Sequence, residues 1–284
     1  MPTLETDTPF AKQGQEILSL LRKKSPEDAI QPILDSIHTQ ATALSLPDPL
    51  VPSTDAYVTS ICYIGSKSLS HVLSCIERCK ERLLTIGAQS AEARKQIIES
   101  VMSYWKDQPG VGVNIVDKLL NYTILSPASV VEWALASNGR RLGDAFVYEL
   151  VSATIGKVTG RVRQVVKASN APSLTAEQRA VMRESAEREK KGMKDLFAVM
   201  EDFLVSWAGG SKDQMQEEMS DADGRMVQQW GERWLRVFRR KGAVEVAWAV
   251  EQGKVVVVDA VPGDGLNGNG SANGDVQGED AMIE

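Results

Sequence analysis

From Phe10 to about Trp248, apolar residues return at three- and four-residue steps, and residues that start or stop helices interrupt them at short intervals. A chain patterned this way buries its stripes by laying helix on helix, so the expectation is an all-α protein. The first stripe, Ile17, Leu18 and Leu21, belongs to a helix over Pro9 to Lys24. Ser25 reads as an N-cap with Pro26 at the first helical position and Glu27 and Asp28 in the first turn. The helix it opens is expected to reach about Ser45, with a kink at Pro32. Leu46 to Pro52, with three prolines, reads as a loop, after which Ser53 or Thr54 opens a helix through Tyr57, Ile61 and Ile64 to Gly65. Ser68 starts a helix to Ile86 that Gly87 ends, and Ser90 caps the helix bearing Ile97, Ile98, Val101, Met102 and Trp105. Beyond the break at Pro109 and Gly110 come a helix with Val113, Val116, Leu119 and Leu120, then a short one capped by Ser126 and Pro127 and bearing Val130, Val131, Trp133 and Leu135. Successive antiparallel pairs on tight turns imply a HEAT/ARM-like α-solenoid, in which each pair must stack on its neighbours to bury its face.

The second half changes scale. One long helix runs from Asp144 through Leu150, Ile155 and Val162 to about Ala168, and Thr175 with Gln178 makes a capping box for another that reaches Trp207. Its first half, Glu177 to Lys194, is charged, with Glu184 to Arg188 and Glu187 to Lys191 at four-residue spacing; its second half carries Leu196, Phe197, Met200, Phe203, Leu204 and Trp207 on one face. The two form a long protruding hairpin, an arm of about residues 155–195 that offers either a docking surface or simply a solvated face. Gly209 to Gly224 reads as an acidic loop, followed by an amphipathic helix with Val227, Trp230, Trp234, Leu235 and Phe238. The layout expected is a disordered start over residues 1–9, a helical-repeat domain over 10–253, and a disordered, acidic, Gly- and Asn-rich tail over 254–284.

Charge narrows the functions available. Lys and Arg total 32 against 38 Asp and Glu, and the stretch from Val261 to Glu284 holds Asp264, Asp275, Glu279, Asp280 and Glu284 with no base. The remainder is nearly neutral, which argues against a chain that grips nucleic acid mainly by its own basic surface. Three cysteines, Cys62, Cys75 and Cys79, are too few for a disulfide framework and fit a reducing compartment. The start, Met1 to Phe10, lacks the basic and apolar regions of a signal peptide, and no apolar run is long enough to span a bilayer.

The candidate chemistry is thin. His71, Cys75 and Cys79 recur on one helix face at four-residue steps, as metal ligands might be sought. At 1.5 Å of rise per residue the outer two stand about 12 Å apart, too far for one tetrahedral zinc, so the favoured reading is buried thiols beside a polar histidine. A small metal-dependent hydrolase using His71 with Cys75 is the remaining enzymatic alternative. Gly263, Gly265 and Gly268 spell a dinucleotide-binding pattern after Val255 to Val258, yet Asn269, Gly270, Asn273 and Gly274 follow where the phosphate-binding helix must begin. Gly210-Ser211-Lys212 lacks phosphate-loop spacing, and Asn121-Tyr122-Thr123 matches a glycosylation acceptor placed on an apolar helix. No residue is therefore assigned to catalysis, to a cofactor or to a metal, and the partner-binding residues are left open.

Order and spacing together carry a resemblance. The stretch Ile64-Gly65-Ser66-Lys67-Ser68-Leu69-Ser70-His71, then Ile97 to Trp105, then Val116-Asp117-Lys118-Leu119-Leu120 with Ile124, Val130, Val131 and Trp133, resembles the third helical domain of the large subunit of the nuclear mRNA cap-binding complex. Phe146 to Leu150 and Asp195-Leu196-Phe197 continue it, so that it covers about Phe10 to Val250, and the charged hairpin resembles the coiled-coil insertion of that domain. This domain class is similar to the middle domain of initiation factor 4-gamma, built from HEAT-like helix pairs. The resemblance implies a non-catalytic, cofactor-free scaffold. It holds a small RNA-recognition-motif subunit in the conformation that clamps the 7-methylguanosine cap, and so meets capped RNA indirectly. It also recruits factors of mRNA splicing, export and nonsense-mediated decay, resides in the nucleus with shuttling to the cytoplasm, and has no membrane partner. Another helical-repeat translation or decay scaffold is the alternative within the class. The family's large subunit has two further helical domains upstream, which leaves open that this sequence is a piece of a longer protein. The matching positions Trp105, Val116, Leu119, Leu120 and Trp133 are read as packing, and Asp117 and Lys118 as a solvated face.

Overall fold

A computed structural model describes residues 10–136, 139–209 and 221–254, and among these residues every regular element is helical. The expected tails at both ends, residues 210–220 of the expected Gly209 to Gly224 loop, the run Val255 to Val258 and the glycine pattern after it lie outside the described residues, and residues 221–224, expected as loop, already belong to a helix.

Eight helices of 9 to 16 residues make a body: α1 (Ala11–Arg22), α2 (Gln31–Ala43), α3 (Leu50–Gly65), α4 (Leu69–Arg78), α5 (Lys80–Gln89), α6 (Ala91–Tyr104), α7 (Pro109–Asn121) and α8 (Pro127–Leu135). Three long ones make an arm: α9 (Ala145–Ser169), α10 (Ala176–Ala208) and α11 (Asp221–Lys254). One row of the stack runs α1, α3, α6, α8, α10 and α11, each packed on the next, and α4, α7 and α9 line up behind it, the two-layer stack of a solenoid. A continuous core, from Ile17 through Ile61, Ile98, Val116 and Val131 to Trp234, threads the whole body and the root of the arm.

Several start signals act as the sequence predicts. The Ser68, Ser90 and Ser126 hydroxyls accept from the backbone N–H three residues on, and Thr175 with Gln178 closes the capping box of α10. Four expectations are corrected. Pro32 does not kink a helix: a 3-10 turn over Glu27–Ala29 comes first, and Pro32 lies in the first turn of α2, where its missing N–H costs nothing. The loop before α3 is shorter than expected, because the Asp48 carboxylate accepts from the Leu50 N–H and starts the helix there, leaving Ser53 and Thr54 buried inside it. The helix expected over Ser68 to Ile86 is two, broken at Cys79, whose backbone ends α4 and begins α5. Gly87 does not end α5; a Cβ there would stand 2.6 Å from the Ile124 carbonyl oxygen, so its role is close approach.

In the arm, α9 and α10 pair as a long hairpin, and α11 lies along it. A small second core joins them, with Val162, Val165 and Val166 of α9, Ala186 and Met193 of α10, and Ala249 of α11. The Trp207 Nε1–H donates to the Leu135 carbonyl at 3.0 Å, satisfying an end group of α8 and fixing the root of the hairpin. Arg188 pairs with Glu184 as the spacing predicts, whereas Glu187 takes Lys190 at 2.8 Å in place of Lys191.

Candidate interaction site

The region around His71, Cys75 and Cys79 is packing. Cys62, Cys75 and Cys79 are all buried and unpaired. Burial pushes the Cys62 thiol up to about 12 and raises Cys75 and Cys79 as well, so all three are held as neutral thiols at neutral pH, the opposite of an activated nucleophile. Burial likewise raises Tyr57, and the neighbouring Cys79 adds to it. Among the described residues no three His, Cys, Asp or Glu side chains stand where they could hold a metal.

Beside Tyr57 a cleft of about 200 Å³ opens between α2, α3 and α5. The Arg82 guanidinium spans it, donating at 2.6 Å to Gln31 Oε1 and at 2.6 Å to the Glu27 carbonyl, and it lies 5.9 Å from the centre of the Tyr57 ring. Both terminal nitrogens tie the 3-10 turn and α2 to α5, which is a structural use, while the buried Nε makes no hydrogen bond and stands 3.8 Å from the Glu27 carboxylate.

The larger concavity, about 1220 Å³, lies where the hairpin leaves the body. Its floor is Gly156, Gly160 and Ala153 of α9 with Gly192 and Val199 of α10, and its near wall is Leu120 with Pro127 and Ala128. A Cβ at Gly156, Gly160 or Gly192 would meet nothing within 4 Å, so no packing among the described residues requires these glycines. They keep a trough open. Its rims are charged and paired: Lys157 meets Asp117 at 3.0 Å and donates to Asn121 Oδ1 at 2.7 Å, and Arg161 meets Glu189 at 3.4 Å. No histidine or cysteine lines it, and it exceeds the roughly 300–1000 Å³ of small-molecule pockets. Such a trough accepts a protein segment more readily than a substrate. The sequence carried a signal for it in the four-residue spacing of Gly156 and Gly160.

The residues singled out earlier divide. Trp105, Val116, Leu119 and Trp133 are buried, as packing requires, and Leu120 reaches the trough. Asp117 and Lys118 are not a plain solvated face: Asp117 binds Lys157 of α9, and Lys118 pairs with Glu77 at 3.7 Å over the Tyr122 ring. Asn121, first noted as a glycosylation acceptor, spends its side-chain oxygen on Lys157 at the end of α7.

Comparison with known proteins bears on all of this. A family model described as MIF4G like matches residues 4–247. The nuclear cap-binding protein subunit 1 of Schizosaccharomyces pombe is 29% identical over 170 residues, which is 60% of this chain and 21% of that protein. The human protein of the same name is 26% identical over 114 residues, covering 40% of this chain and 14% of its own length. That of Aedes aegypti is 26% identical over 160 residues, covering 53% and 19%. The chain spans about a fifth or less of the length of these relatives.

Proposed function

The chain belongs to the MIF4G-like family, and from that premise we propose that it is a scaffold subunit for recognition of capped RNA, working by protein contacts without catalysis. The observation that carries the reading is the extent of the family match, which runs through body and arm alike, joined to relatives that bear the name nuclear cap-binding protein subunit 1. In this reading a small RNA-recognition-motif subunit supplies the cap pocket. The fit is physical, because cap recognition needs aromatic side chains free to stack a base, whereas Tyr57, Trp105, Trp133, Trp207, Trp234 and Phe238 are spent inside the helical core. Trp133, Trp207 and Trp234 are all buried. The remaining surface is free for export, splicing and nonsense-mediated-decay factors, in the nucleus and in transit to the cytoplasm. No helix among the described residues is long and apolar enough to cross a membrane.

The test is retention on 7-methylguanosine resin. The expected result is co-purification with an RNA-recognition-motif protein and retention only in its presence. Retention of this chain alone, or recovery of a helicase with no such partner, overturns the proposal; the second outcome points to a translation or decay scaffold of the same class.

A further inference from the structure

The outward face of α11 is unlike any other in the arm. Met226, Arg233, Val237, Arg240 and Val244 follow one another at seven-, four-, three- and four-residue steps, so they form a single stripe on the side away from α9 and α10. Arg225 and Arg236 flank it, and all four arginines are exposed. Met226, Val237 and Val244 are exposed to 51%, 45% and 56%. Arg239, one step off the stripe, is already held by Glu201 at 2.7 Å, whereas Arg233 is set only over its own neighbour Trp230, 5.0 Å from the ring centre. The acids near this face, Asp223, Glu232 and Glu251, are fewer than the bases.

The missing counter-charge is in the same chain. Residues 255–284 hold Asp259, Asp264, Asp275, Glu279, Asp280 and Glu284 and no Lys or Arg, so the formal net charge of −6 resides there and residues 1–254 balance at 32 of each sign. We infer that this acidic segment is the occupant of the arginine and valine stripe of α11. Reach supports the assignment. Arg236 lies 18 residues back from Lys254, about 27 Å along the helix. Asp275 lies 21 residues beyond Lys254, and about 25 Å is the root-mean-square span of any random coil of that length. A tether of this kind sets an effective concentration on the order of millimolar, enough for weak ionic contacts to persist. The stripe also favours a peptide over a phosphate backbone. Val237 and Val244 need apolar partners, and the segment offers Val276, Met282 and Ile283 among its acids, which a sugar-phosphate chain lacks.

The experiment uses the full chain with Ser271→Cys carrying a nitroxide; the native cysteines are buried and resist the label. Broadening of backbone amide signals reports where the segment lies. The expected result, at about 0.1 M salt, is loss of at least half the intensity for amides along Met226 to Val244, recovered at about 1 M salt, where charges are screened within about 3 Å. Two variants should each abolish the broadening: Arg233→Glu with Arg236→Glu and Arg240→Glu, and neutralisation of the six acids to Asn or Gln. A thermal melt of each verifies that the fold is intact, since all nine positions lie on exposed faces or beyond the described helices. Broadening that persists in either variant, falls along the α9–α10 trough, or is absent from the start overturns the assignment. So does broadening seen between labelled and unlabelled molecules but lost on isotopic dilution, which would mean a second copy. An RNA oligonucleotide that binds α11 equally well with and without the acids would show the stripe to be uncovered, with the same consequence.

Discussion

Body and arm are built from the same helical pattern, yet they solve the burial problem differently. In the body, helices of 9 to 16 residues each touch several others, and Ile97, Ile98, Val116 and Val131 are excluded from solvent to 0% exposure. In the arm, helices of 25, 33 and 34 residues run side by side, and beyond the root their shared core reduces to a few side chains around Val162, Ala186 and Met193. Stability in a stack is a sum of local interfaces, so the body should behave as a cooperative block and the arm as a stiff extension of lower local stability. For the scaffold proposed above that is a sensible division: one part keeps its shape, and the other carries long faces and an open trough.

The sharpest way to break this contrast is to hollow each part in turn. Ile98→Ala in α6 should cost an amount toward the top of the roughly 2–5 kcal/mol range for such truncations, because its neighbours on every side are rigid. Met193→Ala should fall toward the bottom of that range, because Met193 also borders the trough and the gap it leaves can drain into solvent. Urea midpoints measure both, and equal losses would mean that the arm is as cooperative as the body.

Alkali separates the regions without mutation. Tyr57 and all three cysteines lie in the body, and burial raises the pKa of each, making all four weaker acids. Between the unfolded thiol value near 9 and about 12 for Cys62, the unfolded chain releases a proton that the folded chain keeps. Folding stability is therefore whole below that window and falls as pH rises through it, at up to about 1.4 kcal/mol per pH unit for one such thiol. Urea unfolding followed from pH 8 to pH 11 should show the decline, and Cys62→Ala should flatten it. The arm helices α9 to α11 contain no cysteine, so an unchanged slope in Cys62→Ala would place the sensitivity elsewhere.

The joint comes next in size. Gly139 has φ of 68° and sits where Val227 of α11, Trp207 of α10 and Leu142 converge; a Cβ there would collide with Val227. Gly139→Ala adds the left-handed penalty of roughly 1–2 kcal/mol and displaces α11. Hydrogen exchange should quicken at the start of α11 and the end of α10 while α6 is unaffected; quickening throughout would show that joint and body unfold as one.

How far the sequence reveals this architecture differs between the two parts. Caps written as Ser90, Ser126 or Thr175 with Gln178 are local chemistry and were readable as such. The break at Cys79 was hidden because Val72, Cys75, Ile76, Leu83 and Ile86 keep one apolar phase across it, so the pattern looks like one helix. Pro32 and Gly87 are ambiguous for a related reason: Pro tolerates a first turn and Gly permits close approach, and only tertiary neighbours decide which use applies. The trough is legible only in part: the four-residue spacing of Gly156 and Gly160 marks one small-residue face, whereas Leu120 and Gly192 come from other helices and meet it only on folding.

The smallest expected effect tests the tip of the arm. The Thr175 hydroxyl accepts from the Gln178 N–H at 3.2 Å, and the Gln178 side chain accepts in return from the Thr175 N–H at 3.0 Å, so two end groups of α10 are satisfied at once. Thr175→Ala removes one acceptor at a cost of about 1 kcal/mol. If the arm is an extension whose tip opens by itself, that loss appears as several-fold faster exchange confined to the first turns of α10 and the end of α9, with the urea midpoint of the whole protein nearly unmoved. A shift of the global midpoint by the full amount would show instead that the tip is coupled to the body through the small core at Val162 and Met193, and the distinction between rigid block and separable arm would have to be given up.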